Sequence, residues 1–268
     1  MNDSHFGTFV TTEALAENLV DHKYKIIDLR EIEKFENGHI ETSIHIDNSV
    51  FAHQNNEGIN VLPNRETLIS VLQEKGINKK DNLVLIDDVF NLNCSLAAWT
   101  LHYYDFFNVN LLDGAFAKWI KEERKLTTDI SEYPSGNISF DEENESILAT
   151  KDDILMNINS ENILFVDNRS EYAIQFEQQG GNIPGAIHYW YLDLFKECPD
   201  YFILKNPSEI LKDLKSKGIV KDKTIVVYCE SAPKSALVYL VLKDLGYSDV
   251  RLYLAGYEEW RIICSFLG

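Results

Sequence analysis

The sequence predicts an α/β protein made of two similar halves, each a mostly parallel sheet with helices on both faces. Two observations lead to this prediction: short, uninterrupted apolar runs alternate with stretches of helical periodicity, and the pattern of the first half returns in the second. Uninterrupted apolar strands are typical of parallel sheets, because both faces of such a sheet are buried. The 268 residues, 45% of them hydrophobic, are enough for two domains of ordinary size.

The elements are clearest in the second half. Apolar runs rich in β-branched and aromatic residues predict strands at residues 163–166, 187–189, 225–228 and 250–253. Helical spacing of apolar residues predicts helices near residues 151–158, 207–217 and 235–245. Gly218 and Gly246 follow two of these helices, at the position where glycine commonly ends a helix.

An internal repeat supports a duplicated domain. Matching segments occur in the same order in both halves: 26–30 with 165–169, 39–40 with 182–183, 62–76 with 204–218, 76–87 with 218–229, and 112–119 with 254–260. Chance likeness between two α/β segments does not explain matches that keep their order along the whole chain.

A polar stretch separates the halves. Residues 125–145 contain Pro134, Gly136 and an acidic run at 141–143, and they show no sustained helical periodicity. We expect this connector to be polar, with few apolar anchors. The predicted boundaries are a first domain at residues 1–126, a linker at 127–148 and a second domain at 149–268.

The composition restricts the partners. A formal net charge of −18 opposes binding to nucleic acids and to anionic membrane surfaces, because both require a basic surface. The first residues lack the basic and apolar segments of a secretory signal, and no apolar run approaches the ~20 residues of a membrane span. The dispersed cysteines show no zinc-ligand spacing. A reducing, cytoplasmic location is the expectation.

Cys229 stands at the end of an apolar strand and is followed by a short polar loop and a helix. In such an arrangement the loop N–H groups and the positive end of the helix point toward the sulfur. They can lower a cysteine pKa from ~8.5 to near neutrality or below, which yields a nucleophilic thiolate. The alternative is a buried structural thiol, which is the commoner role of a lone cysteine at a strand end.

Several motifs together resemble the rhodanese family. They are Asp-x-Arg after the first long strand of each half, Asn-Ile-Pro-Gly-Ala-Ile-His at residues 182–188, the strand-Cys-loop-helix unit, and a final Leu-x-Gly-x-x-x-Trp. The match covers nearly the whole chain and is similar to the tandem-domain thiosulfate and 3-mercaptopyruvate sulfurtransferases. It implies two tandem rhodanese-like domains, of which the first is inactive and the second carries the catalytic cysteine. Asp87 stands in the first half where the second half has Cys229, and Cys94 lies near the position of Ser235.

The resemblance also assigns residue roles. The expected catalytic residues are Cys229, Ser231 and Lys234, and the expected substrate-binding residues are Arg169, Glu230, Ala232, Pro233, Ser235, Arg30 and His39. Arg169 matches the family's anion-binding arginine, although pairing with Asp167 or a helix end is the alternative. Arg30 and His39 are expected to face the cleft between the halves.

Two loop residues depart from the family pattern. Pro233 has no N–H to offer the sulfur, and Ala232 is unfavourable if its position requires a positive φ.

The loop length separates two chemistries. Phosphatases of related fold use Cys-x5-Arg, in which the guanidinium binds phosphate with two hydrogen bonds. Here the sixth residue after the cysteine is Ser235, and the only loop cation, Lys234, comes one position earlier. Sulfur transfer is therefore favoured over phosphate hydrolysis.

The expected function is transfer of a sulfane sulfur from 3-mercaptopyruvate or thiosulfate, through a Cys229 persulfide, to a thiol, a thioredoxin-like protein or cyanide. Neither a metal nor an organic cofactor is needed. Glu230 is expected to repel the thiosulfate dianion more than mercaptopyruvate, so the latter is the expected better donor. The alternative is a persulfide carrier or interaction module of the same fold without efficient turnover, which the departures at Glu230, Ala232 and Pro233 motivate.

Overall fold

The fold contains one five-stranded parallel sheet in each half of the chain. The computed structural model describes residues 6–19, 21, 23–176 and 181–267. The strands are β1 (Phe9–Val10), β2 (Lys25–Asp28), β3 (Ile44–His45), β4 (His53–Gln54), β5 (Asn60–Val61), β6 (Leu83–Ile86), β7 (Val109–Leu112), β8 (Leu148–Ala149), β9 (Ile163–Asp167), β10 (Ile187–His188), β11 (Phe195–Cys198), β12 (Tyr201–Leu204), β13 (Thr224–Tyr228) and β14 (Val250–Tyr253). The helices are α1 (Thr12–Glu17), α2 (Ile32–Asn37), α3 (Arg65–Glu74), α4 (Leu92–Tyr103), α5 (Ala115–Lys121), α6 (Lys151–Asn157), α7 (Glu171–Phe176), α8 (Pro207–Ser216), α9 (Pro233–Asp244) and α10 (Gly256–Leu267).

The two sheets have the same strand order, which confirms the predicted α/β class and tandem arrangement. The first sheet runs β1-β7-β6-β2-β3 and the second runs β8-β14-β13-β9-β10, with every neighbouring pair parallel. Each half also has a small antiparallel hairpin, β4–β5 in the first and β11–β12 in the second. The central strands β6 and β13 are therefore equivalent, as are the helices that follow them.

Most predicted elements of the second half are present, and the differences have local causes. The strand predicted at 187–189 is a two-residue strand, and the hairpin β11–β12 was missed because its residues do not alternate cleanly between apolar and polar. The helix predicted from residue 235 begins at Pro233, where the fixed φ of proline suits the first helical position.

The core is continuous across the two halves because α4 packs against α9. In α9 every side chain from residue 235 to residue 242 is buried, and α4 is buried on nearly all sides as well. A helix that is apolar around its whole circumference must be enclosed on all sides. Each of these helices is covered by its own sheet on one side and by the other half on the opposite side.

The connector packs on the first domain, so the expectation of few apolar anchors is wrong. Ile138 and Phe140 are buried, and the Phe140 ring stacks on Tyr104 with the ring centroids 5.1 Å apart. Thr127 exchanges backbone hydrogen bonds with His39. Apolar residues separated by polar ones fix this extended segment without giving it a helical or strand periodicity. Among the described residues, no helix has both the length and the apolar character that crossing a bilayer requires.

Candidate functional site

Cys229 lies at the carboxyl end of β13, the middle strand of the second sheet, directly before the loop that leads into α9. Cys229 is buried, with only 1% of its surface exposed. Carboxyl ends of parallel strands, followed by helix N-termini, are where α/β proteins place their binding groups. The sequence prediction of a thiol at a strand end before a helix is thus confirmed in its geometry.

Ala232 turns the chain from the loop into the helix. Its φ is 81° and its ψ is −43°, and its carbonyl accepts a hydrogen bond of 2.8 Å from the Ala236 N–H in the first turn of α9. Positive φ is unfavourable for a residue with a Cβ and costs of order 1–3 kcal/mol. The loop therefore does contain the strained position that the sequence raised as a possibility. Pro233 follows as the first helical residue.

The carbonyl groups of the loop are all held by hydrogen bonds. The Cys229 carbonyl accepts from the Tyr257 N–H at 2.8 Å, and the Glu230 carbonyl accepts from the Glu258 N–H at 3.3 Å. Gly256 makes this close approach possible, because a Cβ at that position would lie 2.5 Å from the Glu230 oxygen. The next carbonyl, that of Ser231, accepts from the side-chain amide of Asn60 in the first half.

The surroundings of the sulfur favour the thiol over the thiolate. Burial raises the pKa of Cys229 and the Glu230 charge raises it further, whereas the Ser235 hydroxyl and N–H and the Lys234 charge lower it. The direction is opposite to the lowered pKa that the strand-loop-helix pattern suggested, because burial outweighs the dipoles. The Ser235 oxygen lies 3.3 Å from the sulfur and 2.9 Å from the Ala232 carbonyl oxygen. Since one hydroxyl proton serves only one acceptor, ionisation of the thiol would draw it from the carbonyl to the sulfur.

Lys234 and Glu230 form an ion pair one helical turn apart beside the thiol. The Lys234 Nζ lies 2.8 Å from a Glu230 carboxylate oxygen and 5.8 Å from the centroid of the Tyr191 ring. The lysine charge, which was expected to assist catalysis, is thus already matched by the neighbouring carboxylate. An anionic donor would compete with Glu230 for this ammonium group.

Arg169 is buried, and its guanidinium is engaged. The Nε and Nη2 atoms donate to the Asp167 carboxylate at 3.0 and 2.6 Å, and Nη2 also donates to the Gly181 carbonyl at 2.6 Å. The guanidinium carbon lies 3.7 Å from the centroid of the Tyr257 ring. The alternative of pairing with Asp167 is therefore present in the structure, and a contact of Arg169 with substrate stays a prediction. Through Tyr257, Arg169 supports the strand that carries Cys229.

Arg30 and His39 are both buried, and a role of either residue at the cleft between the halves stays a prediction. Arg30 pairs with Asp28 at 2.6 Å and stacks on the ring of Phe116. Arg169 makes the corresponding contacts in the second half, with its own aspartate and aromatic ring. The ring nitrogens of His39 lie 2.8 Å from the Phe35 carbonyl oxygen and 3.2 Å from that of Asp129 in the connector. Arg30 thus links parts of the first domain, and His39 ties that domain to the connector.

The equivalent loop of the first half begins at Asp87 and has one residue more before its helix. The Asp87 carboxylate accepts hydrogen bonds from four backbone N–H groups, those of Val89, Asn91, Asn93 and Cys94, at 2.8 to 3.3 Å. Cys94 is buried at the position of Ser235, and burial raises its pKa well above the usual value. Cys94 lies within the hydrophobic core, where it serves as a packing residue.

Sequence reasoning missed Asn60, Tyr257 and Tyr191 as parts of the site. The final Leu-x-Gly motif pointed to Gly256 but not to the residue after it, whose N–H holds the Cys229 carbonyl. Asn60 and Tyr191 come close to the loop only through tertiary packing, so no local signal marks them. No group of three or more His, Cys, Asp or Glu side chains suited to a metal ion occurs within the described ranges.

Comparisons with known proteins agree with this arrangement. The model of the rhodanese-like domain matches residues 11–122 and 150–262. The sulfur carrier protein TtuD of Thermus thermophilus is 30% identical over 97% of this chain and 95% of its own length. The thiosulfate sulfurtransferase of Azotobacter vinelandii is 26% identical over 88% of this chain and 87% of its own.

Among solved structures, SseA of Escherichia coli, a 3-mercaptopyruvate sulfotransferase, superimposes with a TM-score of 0.79. It is 26% identical, and the match covers 93% of this chain and 98% of that one. A duplicated parallel α/β domain with a cysteine loop in its second copy defines the class, a tandem-domain sulfurtransferase fold. The chain belongs to the rhodanese family.

Proposed function

We propose that this protein moves a sulfane sulfur from a small-molecule donor to a thiol or to cyanide, through a persulfide on Cys229. The observation that carries the proposal is the position of Cys229, at a central strand end and in contact with the Ser235 hydroxyl and N–H. The equivalent position of the first half holds a carboxyl group, that of Asp87, which accepts hydrogen bonds from backbone N–H groups of its own loop and helix. A site that accommodates a carboxylate in one half is suited to a thiolate or persulfide anion in the other.

The first step forms one S–S bond and breaks one bond of the donor. The Cys229 thiolate attacks the outer sulfur of thiosulfate and releases sulfite, or attacks the thiol sulfur of 3-mercaptopyruvate and releases pyruvate once its carbon takes up a proton. In the second step an acceptor thiolate attacks the terminal sulfur of the persulfide and leaves with it, which restores the Cys229 thiolate. The first step adds one sulfur atom to the protein and the second removes it, so the cycle needs no external oxidant or reductant.

Glu230 supports 3-mercaptopyruvate as the better donor. Its carboxylate is next to the thiol and neutralises Lys234, so the site offers little net positive charge to a dianion. Mercaptopyruvate carries a single negative charge and suffers about half of the repulsion at equal distance. Arg169 is the proposed anchor for the mercaptopyruvate carboxylate. To bind it, the guanidinium would have to divide its hydrogen bonds between the substrate and Asp167, which it now contacts.

A second candidate is a persulfide carrier that delivers sulfur to another protein without efficient turnover of free donors. The 30% identity to a sulfur carrier protein over nearly the whole chain favours it, as does the raised pKa of the buried Cys229. Steady-state assays with thiosulfate and with 3-mercaptopyruvate, each with cyanide and a small thiol as acceptors, separate the candidates. Sustained turnover that saturates with one donor supports the enzyme. Formation of the persulfide without turnover supports the carrier, and the absence of any added mass on Cys229 would overturn both.

A further inference from the structure

Asn60 brings the first half of the chain into contact with the cysteine loop of the second. It lies on β5, in the β4–β5 hairpin, where its backbone pairs with Gln54. The residue is 7% exposed, and its side-chain nitrogen donates to the carbonyl oxygen of Ser231. Because a carbonyl can only accept, the amide of Asn60 must present its nitrogen to the loop, and the orientation of this side chain is fixed.

The contact fixes one peptide plane of the loop. The peptide between Ser231 and Ala232 is trans, so the Ala232 N–H points away from the carbonyl that Asn60 holds. Neighbouring carbonyls are held in the same manner by Tyr257 and Glu258. Since Pro233 has no N–H, the Ala232 N–H is the last backbone donor of the loop before the helix. Its direction therefore matters more here than in a loop with a full set of donors.

The first half shows what this hairpin position does where no nucleophile is present. Leu62 aligns with Leu204 in the internal repeat, which makes Phe202 the counterpart of Asn60. Phe202 packs on Phe90 of the Asp87 loop, with ring centroids 5.0 Å apart and the rings nearly perpendicular. The hairpin thus reaches across to the opposite loop in both halves, but only the contact with the cysteine loop is a hydrogen bond to the backbone.

We propose that Asn60 is a positioning residue for sulfur transfer: by holding the Ser231 carbonyl it fixes the peptide plane that precedes the turn at Ala232, and with it the shape of the loop around the sulfur of Cys229. This inference rests on the proposed function and extends it by giving the first domain a part in the chemistry. It requires that Asn60 act through its hydrogen bond and not through its volume.

The variant Asn60→Asp tests this requirement, because it keeps the shape and replaces the donor by an oxygen that repels the Ser231 carbonyl. The matched control is Phe202→Ala, which removes the equivalent contact at the inactive loop. Two readouts are needed: the pH profile of Cys229 alkylation by iodoacetamide, followed on the Cys229 peptide by mass spectrometry, and kcat and KM for the better donor. Thermal midpoints of both variants measure the loss of stability.

For Asn60→Asp we expect the apparent pKa of alkylation to rise and kcat to fall about tenfold, with KM changed less. Loss of a donor aimed directly at a reacting anion costs about 10²–10³-fold, and an indirect contact should cost less. Phe202→Ala should lower the thermal midpoint and leave the alkylation profile at its wild-type position. An unchanged profile and kcat in Asn60→Asp, or an equal change in Phe202→Ala, would overturn the proposal. The alkylation profile is measured without a sulfur donor, so it is independent of turnover. If the profile of Asn60→Asp shifts but the wild type shows no turnover, Asn60 keeps its positioning role and the proposed enzyme activity is refuted.

Discussion

The loops after β6 and β13 occupy equivalent places in two sheets of the same topology, yet only the second begins with a cysteine. In the first, the Asp87 carboxylate accepts hydrogen bonds from four backbone N–H groups, so these donors are engaged by the loop's own side chain. In the second, Cys229 takes that place, and the Ser235 hydroxyl and N–H face its sulfur. In both copies of the duplicated unit, hydrogen-bond donors of the loop or the first helical turn point at the side chain of the strand-end residue. The residue at the strand end decides which group these donors face, a carboxylate in the first half and a sulfur in the second.

The two turns into the helices differ as well. Asn91, with φ of 60°, precedes α4, and Ala232, with φ of 81°, precedes α9. Asparagine tolerates the left-handed region better than alanine does. The Asp87 loop holds a second residue with positive φ, Phe90 at 61°, so both loops contain backbone strain, and in the Cys229 loop it lies at Ala232, directly before the helix.

The largest effect should come from the strand-end residue itself. Cys229→Ser should reduce sulfur transfer by at least about 10³-fold, because a hydroxyl group replaces the thiol to which the transferred sulfur is proposed to bind. Cys94→Ser, at the position that corresponds to Ser235, should retain most of the activity. Mass spectrometry after exposure to donor should show one added sulfur on the peptide that contains Cys229. Equal losses in the two variants would mean that the comparison of the loops assigns the nucleophile incorrectly.

Asp87→Asn should remove a pH-dependent part of the stability. Burial raises the pKa of Asp87 to about 6, although the four N–H groups oppose the rise. A carboxyl whose pKa is higher in the folded state contributes stability that is complete below its unfolded pKa of about 4 and is lost as the pH rises through about 6. Between pH 4.5 and 7 the wild type should lose about 2 kcal/mol relative to Asp87→Asn in urea unfolding. Asp88→Asn, the control, should keep the wild-type slope, and parallel curves for wild type and Asp87→Asn would contradict the prediction.

Charge next to the thiol should set the choice of donor. Glu230→Arg should release Lys234, lower the pKa of Cys229 and raise kcat/KM for thiosulfate relative to 3-mercaptopyruvate by about tenfold. In the first half Asp88 follows the strand-end residue as Glu230 does in the second, and it pairs with Lys34 of α2 at 2.7 Å. Asp88→Asn should therefore leave the donor ratio unchanged. If Glu230→Arg also leaves it unchanged, the carboxylate does not act on the bound donor.

The smallest effect should come from the strained turn. Ala232→Gly should raise the thermal midpoint by up to about 3 °C, since glycine accepts the positive φ and the gain exceeds its entropy cost by less than about 1 kcal/mol. Asn91→Gly should change the midpoint little, because asparagine already suits its turn. Calorimetry of both variants checks the pair. A lower midpoint for Ala232→Gly would show that burial of the methyl group outweighs the backbone strain.

Much of the architecture could be predicted from the sequence because local patterns encode it. The apolar strands around residues 163–166 and 225–228, and the glycines that end helices, have their cause within a few residues of chain. The repeat then doubled the information, because each element of one half predicted its equivalent in the other. The position of Cys229 before a helix follows from the same local order.

The remaining features depend on contacts between distant segments. The direction of the Cys229 pKa shift is set by burial of the thiol, which no local pattern reports. The environments of Arg169 and His39 are fixed by Asp167, Tyr257 and the connector carbonyls. Asn60 reaches the loop only because the two halves pack together. The sequence thus identified charged residues such as Arg169 by their type, but it did not identify the groups with which they form contacts.

The mutual enclosure of α4 and α9 gives the chain the character of a dimer whose two subunits share one polypeptide. Cut at the connector, each half would expose the apolar side of a helix that now has no solvent-facing side. After the duplication, the first half could diverge at the Asp87 loop. It had to keep the apolar surface of α4, because that surface buries the apolar side of α9. Drift in this protein is therefore expected to be freest at the Asp87 loop and slowest along the seam between α4 and α9.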